Sequence, residues 1–226
     1  MRTLVLILVL AASVVLSGCE MYRAQEATKL GVQAYEEGKQ AQKHGDTDKA
    51  ATYYRQAKRE FQTAVENEPT VANRHYNLGR VCQDLKEYDQ AVREYDLAIQ
   101  YFPGHRQAHW GKIYCLVNQG ASQEQINAAV NTAVNQVQLE PGRIYLTWAM
   151  GYYHTGQTSR MPEMLEKAAQ VSPADPFVQA TVGRYYQAIG NTGSAIKHLT
   201  IAYELDPNEP GVAYDLGMLG QKLPPR

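Results

Sequence analysis

The chain has 226 residues, and its 22 lysine and arginine side chains are balanced by 23 aspartate and glutamate side chains, for a formal net charge of −1. This near-neutral balance lacks the excess of positive charge that is typical of nucleic-acid-binding proteins, so no nucleic-acid partner is expected. With 3 cysteines, and no phosphate loop, nucleophile elbow or zinc-helix motif, we predict no disulfide framework, no enzymatic activity, no cofactor and no metal site.

The first element along the chain is an export signal. A positive start is followed by an apolar run from Thr3 to Leu16 and by the tetrapeptide Leu-Ser-Gly-Cys, which ends at Cys19. The run is shorter than the ~20 apolar residues of a comfortable membrane span. The tetrapeptide resembles the lipobox of bacterial lipoproteins. The resemblance implies a cleaved signal peptide over residues 1–18 and lipidation of Cys19. A plain secretory signal and a short anchor helix are the alternatives.

Lipidation of Cys19 predicts where the protein resides. More than one acyl chain anchors a protein stably, so the mature chain would stay at a membrane of the bacterial cell envelope. In enteric lipoproteins, an aspartate after the acylated cysteine is the familiar signal for retention in the inner membrane. Glu20 stands at that position, which favours the outer membrane and a location facing the periplasm.

Residues 19–69 are expected to hold the acylated N terminus and an elongated first helical hairpin. Small residues recur at spacings of three and four from Ala24 to Gly45, which is the period of one helix face. If Gly45 forms the turn, each helix of this hairpin is about one heptad longer than usual. A loose linker after Cys19 is the alternative.

Prolines then divide the chain at a nearly regular interval, and four of the five follow an alanine by five positions. They are Pro69, Pro103, Pro141, Pro173 and Pro207, whose positions differ by 34, 38, 32 and 34. A period near 34 with a helix-ending proline is typical of a solenoid of helical hairpins. We predict four repeats, at 70–103, 104–141, 142–173 and 174–207, followed by a capping helix and tail at 208–226.

The repeat at 70–103 shows the pattern most clearly. Its first helix carries Gly79, and its second helix carries Ala91, Tyr95 and Ala98 before Pro103. This pattern resembles the tetratricopeptide repeat. The resemblance implies an all-α fold, a right-handed α-solenoid of antiparallel helix pairs with about five repeats. It also implies that Gly79 and Ala91 form the close-contact pair where the two helices cross, with Tyr95 beside them.

The repeat at 104–141 departs most from the period. Ser122 followed by Gln125 looks like a capping box at the start of a long second helix. The four extra residues are expected between Gly120 and Pro141, and the two residues missing from the next repeat between Pro141 and Gly156. A local change in superhelix pitch is expected there.

In tetratricopeptide proteins the first helices line a concave groove that binds protein or peptide partners. The resemblance therefore assigns to the partner-binding groove Tyr76, Arg80, Gln83, Trp110, Tyr114, Asn118, Arg143, Tyr153, Arg184 and Gln187. Aromatic and arginine side chains dominate binding hot spots. The three arginines suggest a partner segment that carries carboxylates.

The remaining cysteines and two histidines are assigned structural roles. Cys82 and Cys115 lie almost one repeat apart, at nearly equivalent places in adjacent repeats. They are interpreted as buried free thiols, with a disulfide bridge between them as the alternative. His105 and His109 are four residues apart, but we expect them to be ordinary surface histidines and not metal ligands.

Together these features favour a lipid-anchored tetratricopeptide adaptor or scaffold, which binds proteins or peptides in the bacterial cell envelope. The sequence names neither the partner nor the oligomeric state. A pilotin-like assembly factor for an outer-membrane secretin or pilus system is the alternative. An enzyme with an unrecognised site is a more distant one.

Overall fold

The structure is a computed structural model that describes residues 2–137 and 141–223, with the side chains of residues 18–137, 141–153 and 155–223. Three parts of the predictions lie outside the described residues. They are Met1 of the signal peptide, together with the side chains of its apolar run; residues 138–140, near the end of the predicted repeat at 104–141; and residues 224–226 of the C-terminal tail.

The described chain is built from α-helices and contains no strand. The helices are α1 (Arg2–Lys43), α2 (Thr47–Asn67), α3 (Ala72–Asp84), α4 (Tyr88–Tyr101), α5 (Arg106–Asn118), α6 (Gln123–Gln136), α7 (Pro141–His154), α8 (Met161–Val171), α9 (Pro176–Ala188), α10 (Thr192–Leu205) and α11 (Val212–Met218). The predicted all-α class, a tetratricopeptide-type array of antiparallel helix pairs, is confirmed. Among the residues whose side chains are described, no helix is both long enough and apolar enough to cross a membrane.

The helices form two compact units, and the boundary falls inside α5, between Gly111 and Lys112. In unit 1, α1 pairs with α2, α3 pairs with α4, and α2 also packs on α3. In unit 2, α7 pairs with α8 and α9 with α10, while α6 contacts α7, α8 contacts α9, and α10 contacts α11. We call the leading helix of each hairpin its first helix; these are α1, α3, α5, α7, α9 and α11.

The small residues of α1 form one buried stripe, as their spacing predicts. Ala24, Ala27, Ala34 and Ala41 are buried in the described structure, and the aromatic rings of α2 lie on the glycines between them. A Cβ on Gly31 would lie 2.6 Å from the ring of Phe61, and one on Gly38 would lie 2.6 Å from the ring of Tyr54. The two helices can therefore approach closely only because these positions carry no side chain.

In the first hairpin the second helix matches the expected length, whereas α1, with 42 residues against 13 in α3, exceeds the extra heptad that was expected. Gly45 has a φ of 81°, so it makes the turn between α1 and α2 in the left-handed region that favours glycine. Helix α2 has 21 residues, whereas α4 and α10 have 14 each. The second helix of this hairpin is therefore one heptad longer than its later equivalents, and no loose linker follows Cys19, because α1 is continuous through it.

The same contact between the two helices of a hairpin recurs in both units. A Cβ on Gly79 would lie 2.9 Å from the ring of Tyr95, and one on Gly183 would lie 2.7 Å from Leu199. The closest neighbour of Gly79 is therefore the Tyr95 ring, while the Ala91 carbonyl oxygen follows at 3.3 Å. The separation in sequence between the glycine and its partner is the same in the two pairs.

The third repeat is regular, and the structure corrects the prediction made from its proline. In each hairpin, the second helix ends in the same way. The backbone N–H of its C-cap residue donates to the carbonyl of an alanine four residues earlier. These alanines are Ala64, Ala98, Ala133, Ala168 and Ala202, whose positions differ by 34, 35, 35 and 34. Measured at these alanines, the repeat length is nearly constant, and it shows neither the expected insertion before Pro141 nor the expected deletion after it.

Pro141 differs from the other repeat prolines because it is the first residue of α7, whereas Pro69, Pro103, Pro173 and Pro207 lie in the turns after second helices. A proline is tolerated at the first helical position because no intrahelical hydrogen bond is lost there. The predicted capping box of Ser122 and Gln125 is confirmed. The prediction of a long second helix is wrong, since α6 has 14 residues, as do α4 and α10.

We expect Gly111→Ala to destabilise the protein by about 1–3 kcal/mol, because the added Cβ would lie 2.3 Å from Cζ of the buried Tyr95. Gly217→Ala is the matched control, since no heavy atom lies within 4 Å of its Cβ and alanine favours the helix by about 0.5–1 kcal/mol over glycine. Urea denaturation followed by circular dichroism measures both. Equal stability of the Gly111→Ala variant and the wild type would show that Tyr95 does not lie on Gly111.

Candidate protein-binding surfaces

In each unit, side chains of successive first helices contact one another and form a continuous surface. The first-helix surface of unit 1 comprises Tyr35 of α1, Tyr76, Arg80, Gln83 and Asp84 of α3, and His105 just before α5. That of unit 2 comprises Arg143 and Tyr153 of α7, Phe177, Arg184, Tyr185 and Gln187 of α9, and Asp215 of α11.

Arg80 is held within the first-helix surface of unit 1. Its guanidinium carbon lies 4.0 Å from the centroid of the Tyr35 ring, and its Nη2 lies 3.8 Å from Oε1 of Glu36. The Tyr35 hydroxyl donates to Oδ2 of Asp84 at 2.5 Å. Burial raises the pKa of Asp84, and the hydrogen bond from Tyr35 and the charge of Arg80 oppose that shift. The cluster joins α1 to α3.

The other predicted residues of α3 are also engaged in packing. Tyr76 is half-buried, and its ring centroid lies 4.8 Å from that of His105 and 6.1 Å from that of Tyr95. The side-chain oxygen of Gln83 accepts a hydrogen bond from the Tyr95 hydroxyl at 2.9 Å. Tyr76 and Gln83 therefore both contact the Tyr95 ring that holds the hairpin together.

His105 and His109 are buried, so the prediction of surface histidines is wrong. Nε2 of His105 donates to Oδ1 of Asn73 at 3.0 Å, and its Nδ1 accepts from the backbone N–H of Ala108 at 3.4 Å. This arrangement fits a neutral ring, and burial lowers the pKa of His105. His109 donates from Nε2 to the carbonyl of Pro103 at 2.8 Å.

The three residues of α5 that were predicted to line the groove are all half-buried. Trp110 is half-buried, and in the part of the chain that the structure describes its indole Nε1–H has no hydrogen-bond partner. Tyr114 and Asn118 are both half-buried, and Nδ2 of Asn118 donates to the backbone carbonyl of Tyr114 at 2.8 Å.

In unit 2, the two predicted arginines are held by their own chain. The guanidinium carbon of Arg143 lies 4.3 Å from the centroid of the Phe177 ring, which joins α7 to α9. Arg184 donates from Nε to Oδ2 of Asp215 at 2.7 Å and from Nη2 to the carbonyl of Pro210, which joins α9 to α11.

The exposed part of the unit 2 surface is aromatic and polar. The side chain of Tyr153 is 43% exposed, and its ring centroid lies 6.3 Å from that of Tyr185. Gln187 is exposed on the same helix as Tyr185. Because all three candidate arginines have partners within the chain, the side chains that remain accessible for a partner are chiefly aromatic and amide groups.

A recurring hydrogen bond that the sequence analysis missed fixes the start of three first helices. Six residues after a repeat proline, a side-chain nitrogen donates to the carbonyl oxygen of that proline. The three pairs are His75 with Pro69 at 2.7 Å, His109 with Pro103 at 2.8 Å, and Gln179 with Pro173 at 3.1 Å. In the sequence, this hydrogen bond could have been predicted from the histidine or glutamine that stands six residues after each of these prolines.

His75 makes a second hydrogen bond that sets its charge. Nε2 faces the Pro69 carbonyl, and Nδ1 lies 2.8 Å from Oε2 of Glu94. The imidazolium form, with a proton on each nitrogen, satisfies both acceptors. Burial alone would lower the pKa of His75, but the hydrogen bonds to Glu94 and Pro69 outweigh it, and the pKa is raised above 6.5.

Two of the three cysteines are buried, and the described residues form no metal-ligand cluster. Cys82 and Cys115 are buried free thiols, so the disulfide alternative is not formed, and burial raises the pKa of Cys82 to about 12. Cys19 is a free thiol exposed on α1. No three histidine, cysteine, aspartate or glutamate side chains converge as a metal-ligand set in the part of the chain that the structure describes.

The raised pKa of His75 predicts a pH-dependent contribution to stability. This contribution is fully present below the unfolded-state pKa of 6.5 and is lost as the pH rises through the higher folded-state pKa. His75→Gln keeps a donor for Pro69, as Gln179 does for Pro173, but removes the charge. The stability advantage of wild type over His75→Gln should therefore shrink as the pH rises from 6 to 9.

Urea denaturation at a series of pH values measures this difference, and subtracting the variant cancels the titration of the other histidines. His44→Gln is the matched histidine-to-glutamine control, because the His44 side chain is exposed. A constant difference between wild type and His75→Gln across the whole range would show that His75 is not charged in the folded state.

Comparison with known proteins matches one segment to a family. Residues 72–105 match the tetratricopeptide repeat, while no curated protein matches the chain. Among solved structures, a thermophilic TPR protein of Thermus thermophilus is 18% identical over 87% of this chain and 98% of its own, with a TM-score of 0.47.

Two further solved structures give similar values. MamA of Desulfovibrio magneticus RS-1 is 18% identical over 80% of this chain and 97% of its own, with a TM-score of 0.45. PilW, described as a type IV pilus biogenesis factor, is 16% identical over 83% of this chain and 86% of its own, with a TM-score of 0.47. Likenesses this distant assign no partner. The chain therefore carries a tetratricopeptide repeat at residues 72–105, which coincides with the hairpin of α3 and α4.

Proposed function

We propose that this protein is a lipid-anchored adaptor that binds proteins or peptides in the bacterial cell envelope through its first-helix surfaces. The observation that carries the proposal is the tetratricopeptide repeat at residues 72–105, together with first helices whose side chains meet in both units. Such hairpin arrays bind partners on surfaces formed by adjacent repeats.

The unit 2 surface supplies the most accessible contact site. Tyr153 and Tyr185 come from adjacent first helices, and their rings lie 6.3 Å apart. Large aromatic side chains contribute strongly to binding because they bury much area with few rotatable bonds. Arg143 stacks on Phe177 and Arg184 pairs with Asp215, so we propose that these arginines hold neighbouring helices in place and that the tyrosines contact apolar side chains of the partner.

The membrane attachment in this proposal rests on Cys19. Its thiol is exposed on α1, and the apolar run before it and the tetrapeptide that it ends are those expected of an acylated cysteine. Glu20, next to it, favours the outer membrane with the repeats in the periplasm. The pilotin-like role remains the alternative to a general adaptor, and both use the same surfaces.

Cys19→Ser should abolish incorporation of radiolabelled palmitate and move the protein out of the detergent-soluble membrane fraction, because the thiol that receives the lipid is absent. Cys82→Ser is the control, since that thiol is buried and should leave labelling unchanged. Lipid labelling that persists in Cys19→Ser, or is absent from the wild type, would exclude acylation at this residue.

A photo-crosslinking side chain at Tyr153 should yield a discrete covalent adduct with the partner in cells, because this position is exposed beside Tyr185. Lys197 is the matched control position, since it is exposed on α10, a second helix of the same unit. The captured partner should bind Tyr153→Ala at least about tenfold more weakly than wild type, as truncation of a hot-spot residue does. Adducts that form equally from both positions would reject the first-helix surface as the binding site.

A further inference from the structure

Two first helices of unit 1 receive a tyrosine of their second helix in the same way. In α3, a Cβ on Gly79 would lie 2.9 Å from the Tyr95 ring, and the ring centroids of Tyr76 and Tyr95 lie 6.1 Å apart. The Tyr95 hydroxyl donates to Oε1 of Gln83 at 2.9 Å. The receiving residues have the spacing Tyr-x2-Gly-x3-Gln, and together they contact both the ring and the hydroxyl of one tyrosine.

The same three residue types surround Tyr54 in the hairpin of α1 and α2. A Cβ on Gly38 would lie 2.6 Å from the Tyr54 ring, and the Tyr35 ring centroid lies 5.4 Å from that of Tyr54. The Tyr54 hydroxyl donates to Oε1 of Gln42 at 2.8 Å. The separation in sequence between glycine and tyrosine is the same in the two hairpins. We call the spacing Tyr-x2-Gly-x3-Gln the tyrosine-receiving motif.

The tyrosine-receiving motif occurs a third time in unit 2, as Tyr214, Gly217 and Gln221. In the described chain, a Cβ on Gly217 would meet no heavy atom of a neighbouring element within 4 Å. Gln221 is exposed beyond the end of α11 at Met218, and one further helical turn would place it as Gln83 stands in α3. The described residues that follow α11, 219–223, form no second helix. Unlike the motifs of α1 and α3, this one therefore has no tyrosine on it within the described chain.

The opposite face of α11 is fixed on its own unit. Val212 and Leu216 are fully buried in a cluster with residues of α9 and α10. On the free face, Tyr214 and Met218 are 69% and 65% exposed, and they flank Gly217 at helical spacing. Large apolar side chains that are exposed side by side mark a surface for another protein segment. The free face of α11 is therefore positioned to pack against a helix.

We propose that the tyrosine-receiving motif of α11 binds a tyrosine on a helix of a partner protein, which completes a hairpin with α11. The hairpins of unit 1 define the pattern of that helix. Tyr54 and Tyr95 each follow an alanine by four residues and precede another by three. These alanines are all buried, and they are Ala50, Ala57, Ala91 and Ala98. The partner helix carries Ala-x3-Tyr-x2-Ala on one face, because small residues on either side of the tyrosine let the two backbones approach.

The occupant is a partner protein and not a second copy of this chain. In the described residues, the tyrosines with this pattern are Tyr54 and Tyr95, and both already lie on glycines of their own hairpins. A second copy would therefore have to open one of its hairpins to supply the helix. The site shares no residue with the first-helix surface of unit 2. The proposal thus goes beyond the binding proposed for that surface, and its test does not depend on it.

The experiment uses the full-length protein in detergent micelles, with ¹³C-methyl-labelled methionine, and follows the methyl signal of Met218 by NMR. Met218→Leu assigns the signal. The probe is the acetylated and amidated peptide of residues 87–102, which is the sequence of α4 with its two capping residues. Because Met218 is next to Gly217, its signal separates binding at α11 from exchange of the peptide into the hairpin of α3. Peptides with Tyr95→Ala and Tyr95→Phe are the matched controls.

We expect the α4 peptide to shift the Met218 signal saturably, with a Kd on the order of 0.1–1 mM, since a free peptide of this length is only partly helical. The Tyr95→Ala peptide should bind at least about tenfold more weakly. The Tyr95→Phe peptide should bind about two- to tenfold more weakly, because it keeps the ring but loses the hydroxyl hydrogen bond.

On the protein, Gly217→Leu should weaken binding of the α4 peptide at least about tenfold, because the added side chain fills the place of the tyrosine ring. Gly193→Leu is the matched control, since Gly193 is exposed on α10 and its substitution should leave binding unchanged. Circular dichroism of both variants shows that any loss of binding occurs in a folded protein.

Four outcomes would overturn the proposal. The first is a Met218 signal that does not respond to the α4 peptide, and the second is an equal response to the Tyr95→Ala peptide. The third is unchanged binding by Gly217→Leu. The fourth is a Met218 signal that shifts with protein concentration in the absence of peptide and no longer does so in Gly217→Leu, which would assign this face to a second copy of the chain.

Discussion

Each hairpin with a glycine at its crossing depends on one contact, in which a side chain of the second helix lies directly on the backbone of the first. Tyr54 on Gly38, Tyr95 on Gly79 and Leu199 on Gly183 are three examples of it. The absence of a Cβ lets the helix axes come close, and the buried ring or leucine then contacts both helices. Because this contact fixes the positions of α1, α3 and α9 on their second helices, it also decides which of their side chains can meet their counterparts in the next hairpin.

Most of the fold could be predicted from the sequence, because the contacts that define it are local or recur at a constant spacing. The buried stripe of small residues in α1 and the turn at Gly45 could both be predicted from this spacing. Pro141 was interpreted wrongly, because a proline can either follow a helix or begin one. The spacing of the capping alanines through Ala133 shows that Pro141 begins a helix. Lys86, with a φ of 61°, stands where later turns have glycine, and residue type alone gives no sign of its left-handed backbone.

The candidate binding surfaces could be predicted less completely. Their residues were correctly placed on the first helices, but their availability depends on neighbours far away in sequence. Arg80 of α3 meets Tyr35 of the preceding first helix, and Arg184 of α9 meets Asp215 of the following one. A side chain read as a free charge in the sequence is therefore a link between helices in the structure. The buried histidines were misread for the same reason, since their burial and their acceptors depend on how the preceding turns and helices pack around them.

The continuity of α1 has a mechanical consequence. The helix runs through Cys19 without interruption. The first buried residue after Cys19 is Ala24, five residues later, or about 8 Å at 1.5 Å per residue. A periplasmic domain that is attached to its lipid by a flexible linker can sample positions over a wide range of distances from the membrane. An acylated Cys19 would instead connect unit 1 to the bilayer surface through a short, rigid helical segment. Such a protein would meet its partners within a thin layer above the membrane, where confinement raises their local concentration.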